Sequence, residues 1–312
     1  MSGRVALVTG IAGGIARQVG AELVRRGYTV VGVDYRRLGR PLDYPAEVYQ
    51  ANYNKTKVED IFRRHRPSLV LHLGRVGNLK ERMGKRFDLN VVGSRKVMDL
   101  GLKYGTTRLV VLSTFHIYGA HAANHIPISE EDPVRAGVAF PQIADAIQAD
   151  SQALLWTYQH PEMQTVLLRP TNIIGPHVQN TMSGILRRRV IPYVLGFDPM
   201  TQFIHADDLT TAVLRAAEGA QVGVYNVAGP DAIPWRAALA VAGAHQVPVP
   251  SFVAFAALAI SGRFSPTIPP YLVNFFKSPC VITDAAFRAA FDWAPRIGAV
   301  AAVRSTAAAA EA

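Results

Sequence analysis

Gly10, Gly13 and Ala16 recur every third residue in VTGIAGGIA, between an apolar run and a stretch with apolar residues at helical spacing. Glycines let a backbone turn tightly and approach a pyrophosphate. A helix that starts there offers unpaired N–H groups and the positive end of its dipole. Asp34 closes the next apolar run, TVVGVD. A carboxylate there accepts hydrogen bonds from adenosine ribose hydroxyls and repels a 2′-phosphate, so the pattern points to NAD ahead of NADP. Arg36 and Arg37 follow closely and soften that preference. Other chemistries find no support. There is no Gly-x-Ser-x-Gly elbow and no reactive-cysteine context. His121, His125, His160, His177 and His205 lack metal-ligand spacing, and no metal is expected.

A loop of this kind needs a sheet behind it. RVALVTG, TVVGVD, SLVLHLG and RLVVLST are continuous apolar runs. They alternate with the helical patterns GGIARQVGAELVRRG, KVEDIFRRHR and a long stretch from about Leu79 to Tyr104. Fully apolar strands between helices predict an α/β fold with a doubly wound parallel sheet of the Rossmann type. Residues 1–170 form the expected dinucleotide-binding domain. Residues 171–312 form a smaller substrate-side domain interleaved with the last strands of the sheet. Its expected parts include a loop-rich segment from Thr171 to Thr201 and the short strands QFIH and GVYNVAG. The low-complexity tail AAVRSTAAAAEA is expected to fray. A helix from about Gln142 to Tyr158 and the strand TVLLRP precede this half.

Composition bounds the rest. The chain has 312 residues, 49% hydrophobic and 18% charged, as in a globular protein. Its single cysteine, Cys280, excludes an intrachain disulfide and fits a reducing, cytoplasmic setting, and the N-terminus lacks a signal-peptide pattern. The net charge of +10 rests on 26 Arg and 7 Lys, which suits a solvated surface and anionic ligands. No nucleic-acid module accompanies it, so no nucleic-acid partner is expected. FVAFAALAI (Phe252 to Ile260) is shorter than the roughly 20 residues a bilayer span needs, so no stable membrane insertion is expected. It reads as a buried helix or, with Pro269-Pro270-Tyr271, as the lining of an apolar pocket.

From Arg4 to about Pro295 the chain resembles the extended short-chain dehydrogenase/reductases, in the NAD-dependent epimerase/dehydratase branch. The motifs occur in the family's order. TGIAGGIA is similar to its TGxxGxxG/A loop, and LHLGRVG to its HLAA segment, with Gly74-Arg75 in place of two small residues. NVVGSRKVM supplies the structural Asn at Asn90. LSTFHIYG resembles the S-[ST]-x-x-V-Y-G signature, LLRPTNIIGP the LRxxNxxGP segment, and FIHADDLTTAV the FVHVDD stretch. The resemblance implies that NAD is held by Gly10, Ile11, Ala12, Gly13, Gly14, Ile15, Asp34, Tyr35, Asn52, Tyr53, Leu73, Gly74, Arg75 and Asn90. Asn52 would stand in for an Asp that meets the adenine amino group. It places Asn172 and Asn180 on the substrate side, where Arg75 also suits an anionic group.

The resemblance also implies a catalytic Tyr with a Lys four residues on, and the chain departs from it. The matching positions are Gln142 and Ala146. Between Lys103 and Lys277 there is no Lys, and between Tyr118 and Tyr158 no Tyr. Thr114 matches the catalytic hydroxyl position. His116, two residues on, matches the general-base Glu of the family's sugar-nucleotide dehydratases, and an imidazole titrates in a useful range. Thr114 and Gln142 are expected to orient an oxygen while His116 moves a proton. Asp145 is expected to be a solvated or dimer-contact carboxylate. The substrate is a small molecule, a sugar nucleotide or another metabolite with a hydroxyl or carbonyl carbon. The rival readings are a catalytically inactive protein that senses NAD or a metabolite, and a lyase or isomerase without redox chemistry. The resemblance implies a homodimer built on the long helix ending near Tyr104 and the helix from Gln142.

Overall fold

The computed structural model describes residues 4–77, 81–252 and 272–309. Seven parallel strands make the main sheet: β1 Val5–Thr9, β2 Thr29–Asp34, β3 Glu47–Gln50, β4 Leu69–His72, β5 Arg108–Leu112, β6 Gln164–Pro170 and β10 Gly223–Val227. Their order is β10-β6-β5-β4-β1-β2-β3. The crossing point beside β1 places the ends of β1 and β4 next to each other, with Thr9 opposite His72. Ligands of open α/β sheets bind outside the carboxyl ends of strands at such a point.

The pleat sends alternate residues to opposite faces. Ala6 and Val8 join one core with helix α1 (Gly14–Arg25), helix α8 (Ala206–Glu218) and helix α11 (Ala285–Phe291). Leu7, Val31 and Val33 join the other with α2 (Thr56–His65), α4 (Gly93–Lys103) and α6 (Ala144–Gln159). Helix α3 (Met83–Phe87) runs into α4 through one π-helical turn, Asp88–Val92, so the long helical prediction holds from Met83 onward. A 3-10 turn, Pro141–Ile143, precedes α6.

The second half departs from the sequence expectation in two places. The segment read as loop-rich contains β7 (Asn172–Ile174), α7 (Thr181–Leu186) and β8 (Val190–Val194), each too short to show a period. β7 pairs with β9 (Met200–His205), and β8 pairs with β12 (His245–Val249). The tail expected to fray is helix α12 (Ala299–Ala308). Alanine is the best helix former, and Ala299, Ala302 and Val303 sit at helical spacing. They pack on Trp235 and Leu239 of helix α9 (Trp235–Val241). Phe252 is exposed, and the rest of FVAFAALAI with Pro269-Pro270-Tyr271 lies outside the described residues. Among the described residues no helix is long and apolar enough to cross a membrane.

Candidate active site

A cleft of about 740 Å³ opens at the carboxyl ends of β1, β4 and β5. Gly10 follows β1 with φ +73, a conformation glycine adopts freely. A Cβ on Gly10 would lie 2.5 Å from Gly74 Cα, so the two loops meet backbone to backbone. Gly13 is the N-cap of α1 with no side-chain cap, and the first turn carries no acidic residue. The helix therefore presents bare N–H groups to the cleft, which fits an anionic pyrophosphate. On the far side, a Cβ on Gly14 would lie 2.6 Å from the His177 carbonyl oxygen.

A buried polar chain fixes the two loops. Ser94 Oγ donates to the Asn90 carbonyl at 2.6 Å, so it accepts from His72 Nε2 at 2.7 Å. His72 Nδ1 is then the acceptor for Thr9 Oγ1 at 2.8 Å, and Thr9 in turn accepts the Gly74 N–H at 3.1 Å. Each group donates and accepts once, which specifies the neutral Nε2–H tautomer. Burial pushes the imidazole pKa down from 6.5 to about 4.

Asp34 is buried, and its carboxylate already serves four donors. These are the Ala12 N–H at 3.0 Å, the Arg36 N–H at 2.9 Å, and Arg36 Nε and Nη2 at 3.2 Å each. Arg36 and Tyr35 line the cleft, so a guanidinium covers the acid that was expected to meet the ribose. Several expected cofactor residues stand behind the lining. Ile11 is fully buried against Gly32. The Tyr53 hydroxyl packs on Gly74 inside the core, and burial raises its pKa. Asn52 donates to Asp88 at 3.3 Å, which engages the amide expected at adenine. Gly10, Gly13, Gly14, Ile15, Leu73, Gly74 and Arg75 do line the cleft.

Thr114 and His116 meet there. Thr114 is the N-cap of the 3-10 turn Phe115–Tyr118, and its Oγ1 lies 2.8 Å from His116 Nδ1. Phe115 and Phe275 flank the imidazole at ring-centroid distances of 4.3 and 4.9 Å. Burial, and then the charge of Arg75, push its pKa down to about 3. The ring is therefore neutral at physiological pH.

Gln142 is not brought into the cleft. It is exposed, and because the 3-10 turn precedes α6, Gln142 and Ala146 do not share one helical face. Ile143, Asp145 and Ala146 make this wall. Asp145 is neither solvated nor at an outer surface, since it is 1% exposed and ion-paired with Arg86, itself 4% exposed. Asn90 Nδ2 donates to the other Asp145 oxygen at 2.6 Å. The sequence does not single out Arg86, because its partner lies 59 residues away. Asn172 and Asn180 line the substrate end but are engaged with backbone. Asn172 donates to the Gln202 carbonyl at 3.0 Å, and Asn180 caps α7 by accepting the Ser183 N–H at 2.8 Å. Arg187, the only lining member of the Arg187 to Arg189 run, holds the Gly175 and Pro176 carbonyls at 3.0 and 2.9 Å.

The family model described as "NAD dependent epimerase/dehydratase family" matches residues 6–228. The uncharacterized protein Rv0501 of Mycobacterium tuberculosis is 26% identical, over 80% of this chain and 68% of its own length. UDP-glucuronate 4-epimerase of Thermodesulfobacterium geofontis is 24% identical, over 72% of this chain and 74% of its own. Among solved structures, a Thermus thermophilus UDP-glucose 4-epimerase complex with NAD superposes with a TM-score of 0.78 at 21% identity, covering 98% and 99% of the two chains. Bordetella bronchiseptica WbmG with NAD and UDP superposes with a TM-score of 0.77 at 18% identity, covering 99% and 94%.

Proposed function

This chain belongs to the NAD-dependent epimerase/dehydratase family, and on that premise we propose that it binds NAD and acts on a hydroxyl or carbonyl carbon of a sugar nucleotide or similar small metabolite. The observation that carries the reading is the Thr114–His116 contact at 2.8 Å inside the cleft that the glycine loop lines. NAD, when bound, supplies a hydride acceptor and donor. The bare N–H groups of α1 hold the pyrophosphate, and Asp34 takes the adenosine ribose once Arg36 swings aside. Thr114 Oγ1 holds the reacting oxygen. His116 takes the proton of that oxygen through the threonine hydroxyl and returns it. Its depressed pKa leaves the ring neutral and open to accept, but about 3 lies below the useful range expected from the sequence, so His116 is a weak base that shares the proton with Thr114 and does not hold it. Tyr and Lys are then not required for proton transfer.

A homodimer through α4 and α6 is part of the proposal. Val92, just ahead of α4, and Leu155 and Tyr158 on α6 are exposed, at 46%, 57% and 78%. A purely monomeric profile in size-exclusion chromatography would count against it. Burial raises the Cys280 thiol to about 12, which disfavours the reactive thiolate.

The test is to incubate wild-type protein and His116→Ala with NAD and a panel of uridine- and thymidine-diphosphate sugars, and to read products by mass spectrometry. The expected result is turnover by wild type alone, equal NAD binding by both, and no acid limb near pH 6.5. Full activity in His116→Ala removes the assignment. Binding of NAD without turnover of any metabolite by wild type leaves the sensing protein as the better reading.

A further inference from the structure

Arg86 and Asp145 form an ion pair in the wall of the cleft, beside the alanine that stands where the family carries its lysine. Buried ion pairs are expensive to desolvate, and most buried donors are paired. One donor of this cleft-lining pair is not. Arg86 Nη2 serves both the Gln142 carbonyl, at 2.7 Å, and Asp145. Arg86 Nε is buried with no hydrogen-bond partner among the described residues. Asp145 accepts one bond on each oxygen, from Arg86 and from Asn90, and a carboxylate oxygen accommodates a second. The wall thus holds an unused donor and spare acceptor capacity on two groups whose charges cancel.

One donor beside one acceptor is the complement of a vicinal diol, whose hydroxyls each accept and donate. A lone anion would instead find the carboxylate repulsive. We propose that Arg86 and Asp145 are positioning residues that hold the nicotinamide-side ribose of the dinucleotide. They would do so from helices α3 and α6, beside Ala146, which offers the cleft no polar group. Asn90 supports them by bridging Asp145 to the Val76 backbone, with its Oδ1 accepting the Val76 N–H at 2.8 Å. The pair is neutral, so it orients the ribose without adding charge beside the reacting carbon.

The inference rests on the dinucleotide occupying this cleft as read above, but not on His116. The experiment reads binding and not turnover, so failure of the His116 assignment leaves its outcome intact. Dissociation constants for NAD, ADP-ribose and ADP are measured by calorimetry on wild type, on Arg86→Lys and on Arg86→Gln/Asp145→Asn. The double variant removes both charges together and leaves no buried charge unpaired. Arg86→Lys keeps the charge and removes the Nε donor, and serves if the double variant does not fold. NAD and ADP-ribose carry the second ribose and ADP does not. The expected result is a loss of about tenfold or more for NAD and ADP-ribose with ADP unchanged. A merely structural pair would shift the thermal midpoint but leave the ratio of NAD to ADP affinity unchanged, and an unchanged ratio in the folded variants overturns the proposal.

Discussion

Acidification should loosen the protein through His72, and the size of the effect follows from its surroundings. The ring is buried and neutral, with Nδ1 accepting from Thr9 and Nε2 donating to Ser94. Its pKa is 6.5 in the unfolded chain and about 4 in the fold. Between those values the unfolded chain binds more protons, so stability falls as the pH falls. The contribution is intact above pH 6.5 and is gone as the pH passes about 4. At pH 5 the gap to 6.5 amounts, at about 1.4 kcal/mol per pH unit, to a loss of about 2 kcal/mol relative to pH 8. His116 acts in the same direction, with less weight because it is partly exposed to the cleft. The assay is urea unfolding of wild type and His72→Asn at pH 8 and pH 5. Other groups titrate in both proteins, so the quantity of interest is the difference of differences, expected near 2 kcal/mol. A variant that loses as much stability as wild type on acidification refutes the reasoning. So does an NMR titration showing His72 protonated at pH 6 in the native protein.

Arg36→Ala should free the Asp34 carboxylate and sharpen discrimination, raising the ratio of NAD to NADP affinity about tenfold, a figure kept modest because half of the Arg36 side chain is in solvent. An unchanged ratio in fluorescence titrations would show that the guanidinium does not shield Asp34 in the complex. Ending the chain at Gly298 should lower stability by about 3 kcal/mol or more, since it strips α12 from Trp235 and Leu239. A thermal midpoint within a degree or two of wild type would contradict the packing described for that helix.

Much of the nucleotide end was legible because its signals are local. Each inner strand is a continuous apolar run, and Gly10, Asp34 and Thr114 sit at strand ends that the chain marks by composition. What escaped depends on partners distant in sequence or on backbone detail. Arg86 looked like one charge among several in KERMGKRFD until Asp145 was brought to it. Residue spacing alone puts Gln142 on a helical face, whereas Pro141 opens a 3-10 turn and α6 begins only at Ala144. The alanine-rich tail looked featureless because small residues give a weak hydrophobic period, although close packing on Trp235 needs just such residues. Asn172 and Asn180 were matched by motif, and their side chains are engaged in holding backbone.

The edge strand β10 has a bearing on how the chain is made. It comes from the second half yet pairs along β6, from Gly223 opposite Val166 to Val227 opposite Pro170. The following-half helix α8 covers α1, where Gln18 bonds to both Asp207 and Thr210. Arg108 on β5 also reaches the Ala216 carbonyl, at 2.9 Å. A ribosome that has released residues 1–170 has therefore delivered six strands, with the β6 edge still waiting for its partner and an apolar face uncovered. The nascent first half must wait for nearly sixty further residues before β10 can pair with β6. That interval is when the polypeptide is most exposed to misassembly and to chaperones, whatever its finished stability.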